Sequence, residues 1–132
     1  MADDKALAKQ GPLVMAVDDD PSILRIIEML LARNGYTVRT AASGETALAM
    51  LRNLQPAVLL TDVQMPGMSG YDLCSVVKHD ERLKGVPVVF LTAQGTPQDY
   101  KTGHDMGAVM YMTKPFKPEK LLQVVQMLAP LG

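Results

Sequence analysis

Ala57-Val58-Leu59-Leu60-Thr61-Asp62-Val63-Gln64-Met65-Pro66-Gly67-Met68-Ser69-Gly70 is the stretch that decides the fold. It opens on an apolar run too short for a buried helix but long enough for a strand covered on both faces. The run ends at Thr61-Asp62, and Met65-Pro66-Gly67-Met68 is rich in turn residues. Ser69 then opens a helix, with Asp72 where a variant capping box would put it. Leu73, Val76 and Val77 supply that helix's apolar stripe. The unit is a strand, a carboxylate at its carboxyl end, and a helix.

Working outward, the same unit recurs on both sides. Upstream, Val14–Val17 is wholly apolar and runs into Asp18-Asp19-Asp20-Pro21, with Asp20 the natural helix cap. Ile23, Ile26, Ile27, Leu30 and Leu31 follow at helical spacing and stop at Asn34-Gly35. Tyr36–Thr40 alternates, with Tyr36, Val38 and Thr40 on one face, as a half-exposed edge strand does. Ser43 caps a helix carrying Ala47, Leu48, Leu51 and Leu54, ahead of Pro56. Downstream, Val86–Leu91 is strand-like and ends at Thr92. Thr96-Pro97 reads as cap and first helical position, with Asp99 in the first turn. That helix is weak: Tyr100 and Met106 are its large apolar residues, and Gly103 interrupts it. Ala108–Met112 is a fifth strand, followed by Thr113-Lys114-Pro115-Phe116. A last helix from Pro118 buries Leu121, Leu122, Val125 and Leu128. The expected fold is α/β, a (βα)5 doubly wound parallel five-stranded sheet with helices on both faces and right-handed crossovers.

The 132 residues suit one domain. A net charge of −1 creates no basic field for nucleic acid. The single cysteine, Cys74, precludes an internal disulfide, fits a reducing compartment, and is expected to be buried in its helix. His79 and His104 are expected in solvent. No apolar run nears the ~20 residues that span a bilayer, and Met1–Gly11 is too polar for a signal peptide. These features predict a cytoplasmic protein that binds neither membrane nor nucleic acid through this domain. Residues 1–12 read as a leader, 13–129 as the domain and 130–132 as a tail.

In a parallel sheet the carboxyl ends of all strands share one edge, where ligands bind. Asp18 and Asp19 follow the first strand, Asp62 the third, Thr92 the fourth and Lys114 the fifth. Three carboxylates, a hydroxyl and an ammonium therefore converge. At ~5 Å and an effective dielectric near 20, each ionised carboxylate pair repels by roughly 3 kcal/mol, which a hard divalent ion relieves. Magnesium takes one or two carboxylates plus a phosphate. Lys114 can pair with one phosphoryl oxygen and Thr92 donate to another. One carboxylate is then free to act as nucleophile and form an aspartyl phosphate. Asp62, beside a glycine- and proline-rich turn, should be the accessible one; adjacent Asp18 and Asp19 suit a shared metal role.

Val17-Asp18-Asp19-Asp20-Pro21, Thr61-Asp62 through Ser69-Gly70, Leu91-Thr92-Ala93 and Lys114-Pro115-Phe116 resemble, in order and spacing, the signatures of response-regulator receiver domains. The likeness covers about Leu13 to Leu128. It implies flavodoxin-like strand order 2-1-3-4-5 and phosphorylation of Asp62. It further implies Mg2+ (or Mn2+) held by Asp19, Asp62 and the Gln64 backbone carbonyl, with Asp18 acting through water. Thr92 and Lys114 match the residues that grip the phosphoryl group, and Lys114-Pro115 matches a cis bond. Thr92 and Tyr111 match the switch pair that reshapes the face of the fourth helix, fifth strand and fifth helix. The implied partners are a sensor histidine kinase or histidine phosphotransfer protein, and downstream a protein target or a second copy at that face. Gln64 and Gln94 stand where the family varies its dephosphorylation rate. Val109-Met110, with Met106 and Met112 nearby, suggests an unusually apolar output face.

Rival readings have less behind them. A haloacid-dehalogenase-type phosphohydrolase shares the Asp-x-Asp of Asp18–Asp20 but needs a second acidic pair after the lysine, where only Glu119 follows. A pseudo-receiver would not need the intact acidic set with Thr92 and Lys114. A flavodoxin-like cofactor carrier needs a Gly/Ser/Thr-rich phosphate loop after the first strand.

Overall fold

A computed structural model describes residues 11–93 and 97–131, without the side chains of 97–100. The expectations for residues 1–10, Gln94, the Thr96 cap, the Asp99 and Tyr100 side chains and Gly132 lie outside the described residues.

Strands and helices alternate along the chain: β1 (Leu13–Val17), α1 (Pro21–Arg33), β2 (Thr37–Ala41), α2 (Gly44–Leu51), β3 (Val58–Asp62), α3 (Gly70–His79), β4 (Val88–Thr92), α4 (Pro97–Asp105), β5 (Met110–Thr113) and α5 (Pro118–Leu128). The strands form one sheet in the order β2-β1-β3-β4-β5, parallel throughout, which is the flavodoxin-like α/β fold expected. β3 is buried along its whole length, as a strand with helices on both sides must be. Leu24, Ile27 and Leu31 of α1 and Leu121, Val124 and Val125 of α5 pack on one face, against Val14, Val58, Leu60 and Val89. Ala47 and Leu51 of α2 and Leu73, Cys74 and Val77 of α3 cover the other, against Met15, Leu59, Val88 and Phe90.

Local chemistry sets the ends of the elements. Asp20 caps α1 by accepting the Ser22 amide at 2.9 Å, and Ser43 caps α2 by accepting that of Thr46 at 3.1 Å. The Ser69–Asp72 box is reciprocal, each side chain accepting the other's backbone N–H at 3.1 Å. Cys74 is buried and free, and both histidines are exposed.

Several expectations need correction. Ile26 is 47 % exposed, and Leu24 takes its place in the core. Ile26 lies about 100° round the helix from Ile27, too far to share a stripe centred between Leu24, Ile27 and Leu31. Val76 stands in the same relation to Val77 and is likewise exposed, while Cys74 is buried as expected. In α5 Val124 is buried while Leu122 and Leu128 are half-buried. α2 stops at Leu51, short of Leu54, where the Arg82 guanidinium takes the carbonyls of Leu51 and Leu54. β4 starts at Val88 rather than Val86, because the Val86 amide is spent on Leu83 O and Pro87 has none. β5 starts at Met110 rather than Ala108, whose amide closes the end of α4 on Gly103 O. Tyr36 precedes β2, buried, with its hydroxyl donating to Ala129 O at 2.7 Å.

Candidate functional site

The parallel registers carry the chemistry to one rim. Val17 pairs with Thr61, Asp62 with Leu91, and Thr92 with Thr113. Asp18, Asp62, Thr92 and Lys114 are thus the last residue of a strand or the first beyond one. Asp18, Asp19 and Asp62 each bring a carboxylate oxygen within 4.8 Å of the others. The Lys114 ammonium donates to Asp18 Oδ2 at 2.5 Å and to Asp62 Oδ2 at 3.4 Å, across sequence separations of 96 and 52 residues. Thr92 is buried, and its carbonyl accepts the Lys114 amide at 2.7 Å. The Lys114–Pro115 bond is cis.

Burial differs across the trio. Asp18 is 1 % exposed and its Oδ1 also accepts the Asp20 amide at 2.9 Å, whereas Asp19 lies in solvent. Asp62 keeps 8 % exposure, tighter than its place beside a turn suggests. Burial, opposed by the Lys114 charge and reinforced by that of Asp18, holds the Asp62 carboxyl above its ordinary value. Burial also works against the Lys114 ammonium, but its hydrogen bond and charge pairing with Asp18, and then Asp62, outweigh that and raise it. The pocket is a set of hard oxygen donors with one built-in cation.

The loop after β3 returns tightly. Gly70 N–H donates to Val63 O at 2.8 Å, and a Cβ on Gly70 would stand 2.0 Å from the Asp62 carbonyl oxygen. Only glycine fits there. Gln64 lies exposed in this loop. Tyr111, half-buried on β5, meets Phe90 edge-on at 6.2 Å, and Phe90 meets Tyr71 at 5.1 Å. Met112 belongs to the core rather than to an exposed methionine group, while Val109 is exposed. Two contributors were not singled out from sequence. Gly70 carried a signal, a small residue just after a cap; Glu45, which accepts the Met68 amide at 3.1 Å across the sheet edge, carried none.

The model of the response regulator receiver domain family matches residues 14–126. The chain belongs to that family. Among curated proteins the receiver is 38 % identical over 117 residues to the DNA-binding dual master transcriptional regulator RpaA of Synechocystis, covering 89 % of this chain and 48 % of that one. The receiver spans about half the length of the curated relatives it matches. Among solved structures it resembles the chemotaxis response regulator CheY4 of Vibrio cholerae, with TM-score 0.84, 36 % identity and coverage of 89 % and 98 % of the two chains. It also resembles the BeF3-activated DrrB receiver domain, with TM-score 0.82, 31 % identity and coverage of 89 % and 97 %. It is accordingly a receiver module of two-component signalling, a regulatory phosphoacceptor module rather than a turnover enzyme. Among the described residues no helix is long and apolar enough to cross a membrane.

Proposed function

We propose that the receiver, residues 13–129, takes a phosphoryl group from a phosphohistidine onto Asp62. The donor is a sensor histidine kinase or a histidine phosphotransfer protein. The observation that carries this is the Lys114 ammonium set between Asp18 and Asp62, with Asp19 beside them. An Asp62 carboxylate oxygen attacks phosphorus, the P–N bond breaks, and the imidazole nitrogen leaves with its electron pair. Water later cleaves the acyl phosphate, releasing phosphate and restoring the carboxylate.

The oxygen donors fit a hard divalent cation, Mg2+ or Mn2+. Asp19, Asp62 and the Gln64 carbonyl would hold it, with Asp18 through water. When bound it neutralises phosphoryl oxygen charge. Lys114 pairs with one phosphoryl oxygen, and the Thr92 hydroxyl donates to another, so Lys114 must leave part of its hold on Asp62 as the group arrives. Thr92 and Tyr111 act as the switch, passing the change to the α4-β5-α5 face. A hollow of about 500 Å3 there, lined by Met110, Tyr111, Pro115, Phe116, Lys117 and Lys120, offers room for a protein target or a second copy.

The test is acetyl phosphate with Mg2+, read by intact-mass spectrometry on the native chain, Asp62→Asn and Lys114→Met. One phosphoryl adduct is expected on the native chain, none on Asp62→Asn, and slower labelling of Lys114→Met. An unlabelled native chain, or an equally labelled Asp62→Asn, sinks the assignment.

A further inference from the structure

The loop from Val63 to Ser69 carries the Gln64 carbonyl and is fixed at both ends. Gly70 N–H closes it on Val63 O, and the Ser69–Asp72 box anchors its exit. Met65 is buried in the core beneath. Its crest, Pro66-Gly67-Met68, rises out of that support, with Pro66 and Gly67 exposed.

A neighbouring βα unit holds the crest. Glu45, in the first turn of α2, reaches over so that its Oε2 accepts the Met68 amide at 3.1 Å. The Met68 side chain lies against Gly44, where a Cβ would come within 2.9 Å of Met68 Cγ. Gly67 has φ +77°, and a Cβ on it would stand 2.6 Å from Glu45 Oε2. Three features therefore serve one contact: a bare Gly44 receiving Met68, a bare Gly67 leaving room for a carboxylate, and the carboxylate itself. Glu45 is exposed and forms no ion pair among the described residues. The hydrogen bond to the crest is what its reach achieves.

We propose that Glu45 is a positioning residue for the phosphorylation pocket, its carboxylate fixing the loop that presents the Gln64 carbonyl before cation and phosphoryl group arrive. This rests on the reading of that pocket given above. A loop ordered in advance spares binding the loss of its conformational freedom, so loosening the crest should weaken cation binding without touching a carboxylate of the pocket. A purely structural role for Glu45 would instead be its negative charge in the first turn of α2.

Three variants of the full chain separate the roles. Glu45→Asp keeps the charge but is one methylene too short for the Met68 amide. Glu45→Gln gives up the charge but keeps an oxygen at the right reach. Glu45→Ala gives up both. Mn2+ binding is followed by water-proton relaxation, and Met68 amide exchange is measured without metal. Glu45→Ala and Glu45→Asp should bind Mn2+ about threefold to tenfold more weakly, the range one hydrogen bond corresponds to, with faster Met68 exchange. Glu45→Gln should sit close to native in both. Native-like Mn2+ binding by Glu45→Ala, or Glu45→Gln as impaired as alanine, overturns the inference while leaving the pocket's assignment intact. A native chain that takes up neither Mn2+ nor a phosphoryl group overturns the assignment first, and the inference with it.

Discussion

Replacing Asp62 by asparagine should make the metal-free receiver more stable at neutral pH. The Asp62 carboxyl is held above its ordinary value of 3.8, by burial first, with Lys114 opposing and Asp18 adding. An acid with a raised folded-state pKa ionises earlier in the unfolded chain. Its stability cost is therefore absent below 3.8, grows as pH rises through the folded value, and is complete at neutrality. At 3.4 Å and an effective dielectric near 20, Lys114 returns about 5 kcal/mol to the ionised form. Asp18, within 4.8 Å, takes back about 3.5 kcal/mol. The remaining ~1.5 kcal/mol is set against a partial desolvation cost of several kcal/mol per ion. A net penalty of about 1–2 kcal/mol results, and asparagine abolishes it while leaving the Asp18–Lys114 pair at 2.5 Å intact. For a domain of this size that corresponds to a rise in Tm of about 4–8 °C. Thermal melts in chelator should show the gain at neutrality and its loss as pH falls toward 3.8. Added Mg2+ should then narrow or reverse the gap by raising the Tm of the native chain alone. An asparagine variant that melts below native at neutral pH in chelator would refute the electrostatic account of the pocket.

Two further perturbations probe the frame around the site. Gly70→Ala places a Cβ 2.0 Å from the Asp62 carbonyl oxygen, which backbone cannot evade cheaply. A loss of about 3 kcal/mol in urea unfolding is expected, with weaker Mg2+ binding in whatever remains folded. Tyr36→Phe removes the donor to Ala129 O at 2.7 Å in a buried setting. It should cost about 1–2 kcal/mol and speed amide exchange in the last turn of α5 before other regions.

The fold was legible because four strands carry short apolar runs, the edge strand β2 alternates, and most of the helix starts announce themselves. Asp20, Ser43 and the Ser69–Asp72 pair all act as the caps their side chains suggest. Rotational placement of helices was less legible: Ile26 and Val76 read as core, yet a helix resting on a sheet buries a narrow stripe, and apolar residues beside it stay wet. Strand starts were blurred by competing local bonds, as at Val86 and Ala108. The convergence of Asp18, Asp19, Asp62 and Lys114 followed from parallel topology alone. Interactions between units were hidden, since nothing in the neighbourhood of Glu45 betrays that its oxygen meets the Met68 amide 23 positions later.

Gly11 and Leu131 lie side by side: a Cβ on Gly11 would come within 3.3 Å of Leu131 Cδ2. This meeting point sits where the strands begin, at the pole opposite the acidic rim. Gly11 and Leu131 thus stand on the far side of the domain, about 17 Å of strand away from Asp62. A change of charge at the rim would reach that pole through side-chain repacking along the flanks rather than by direct contact.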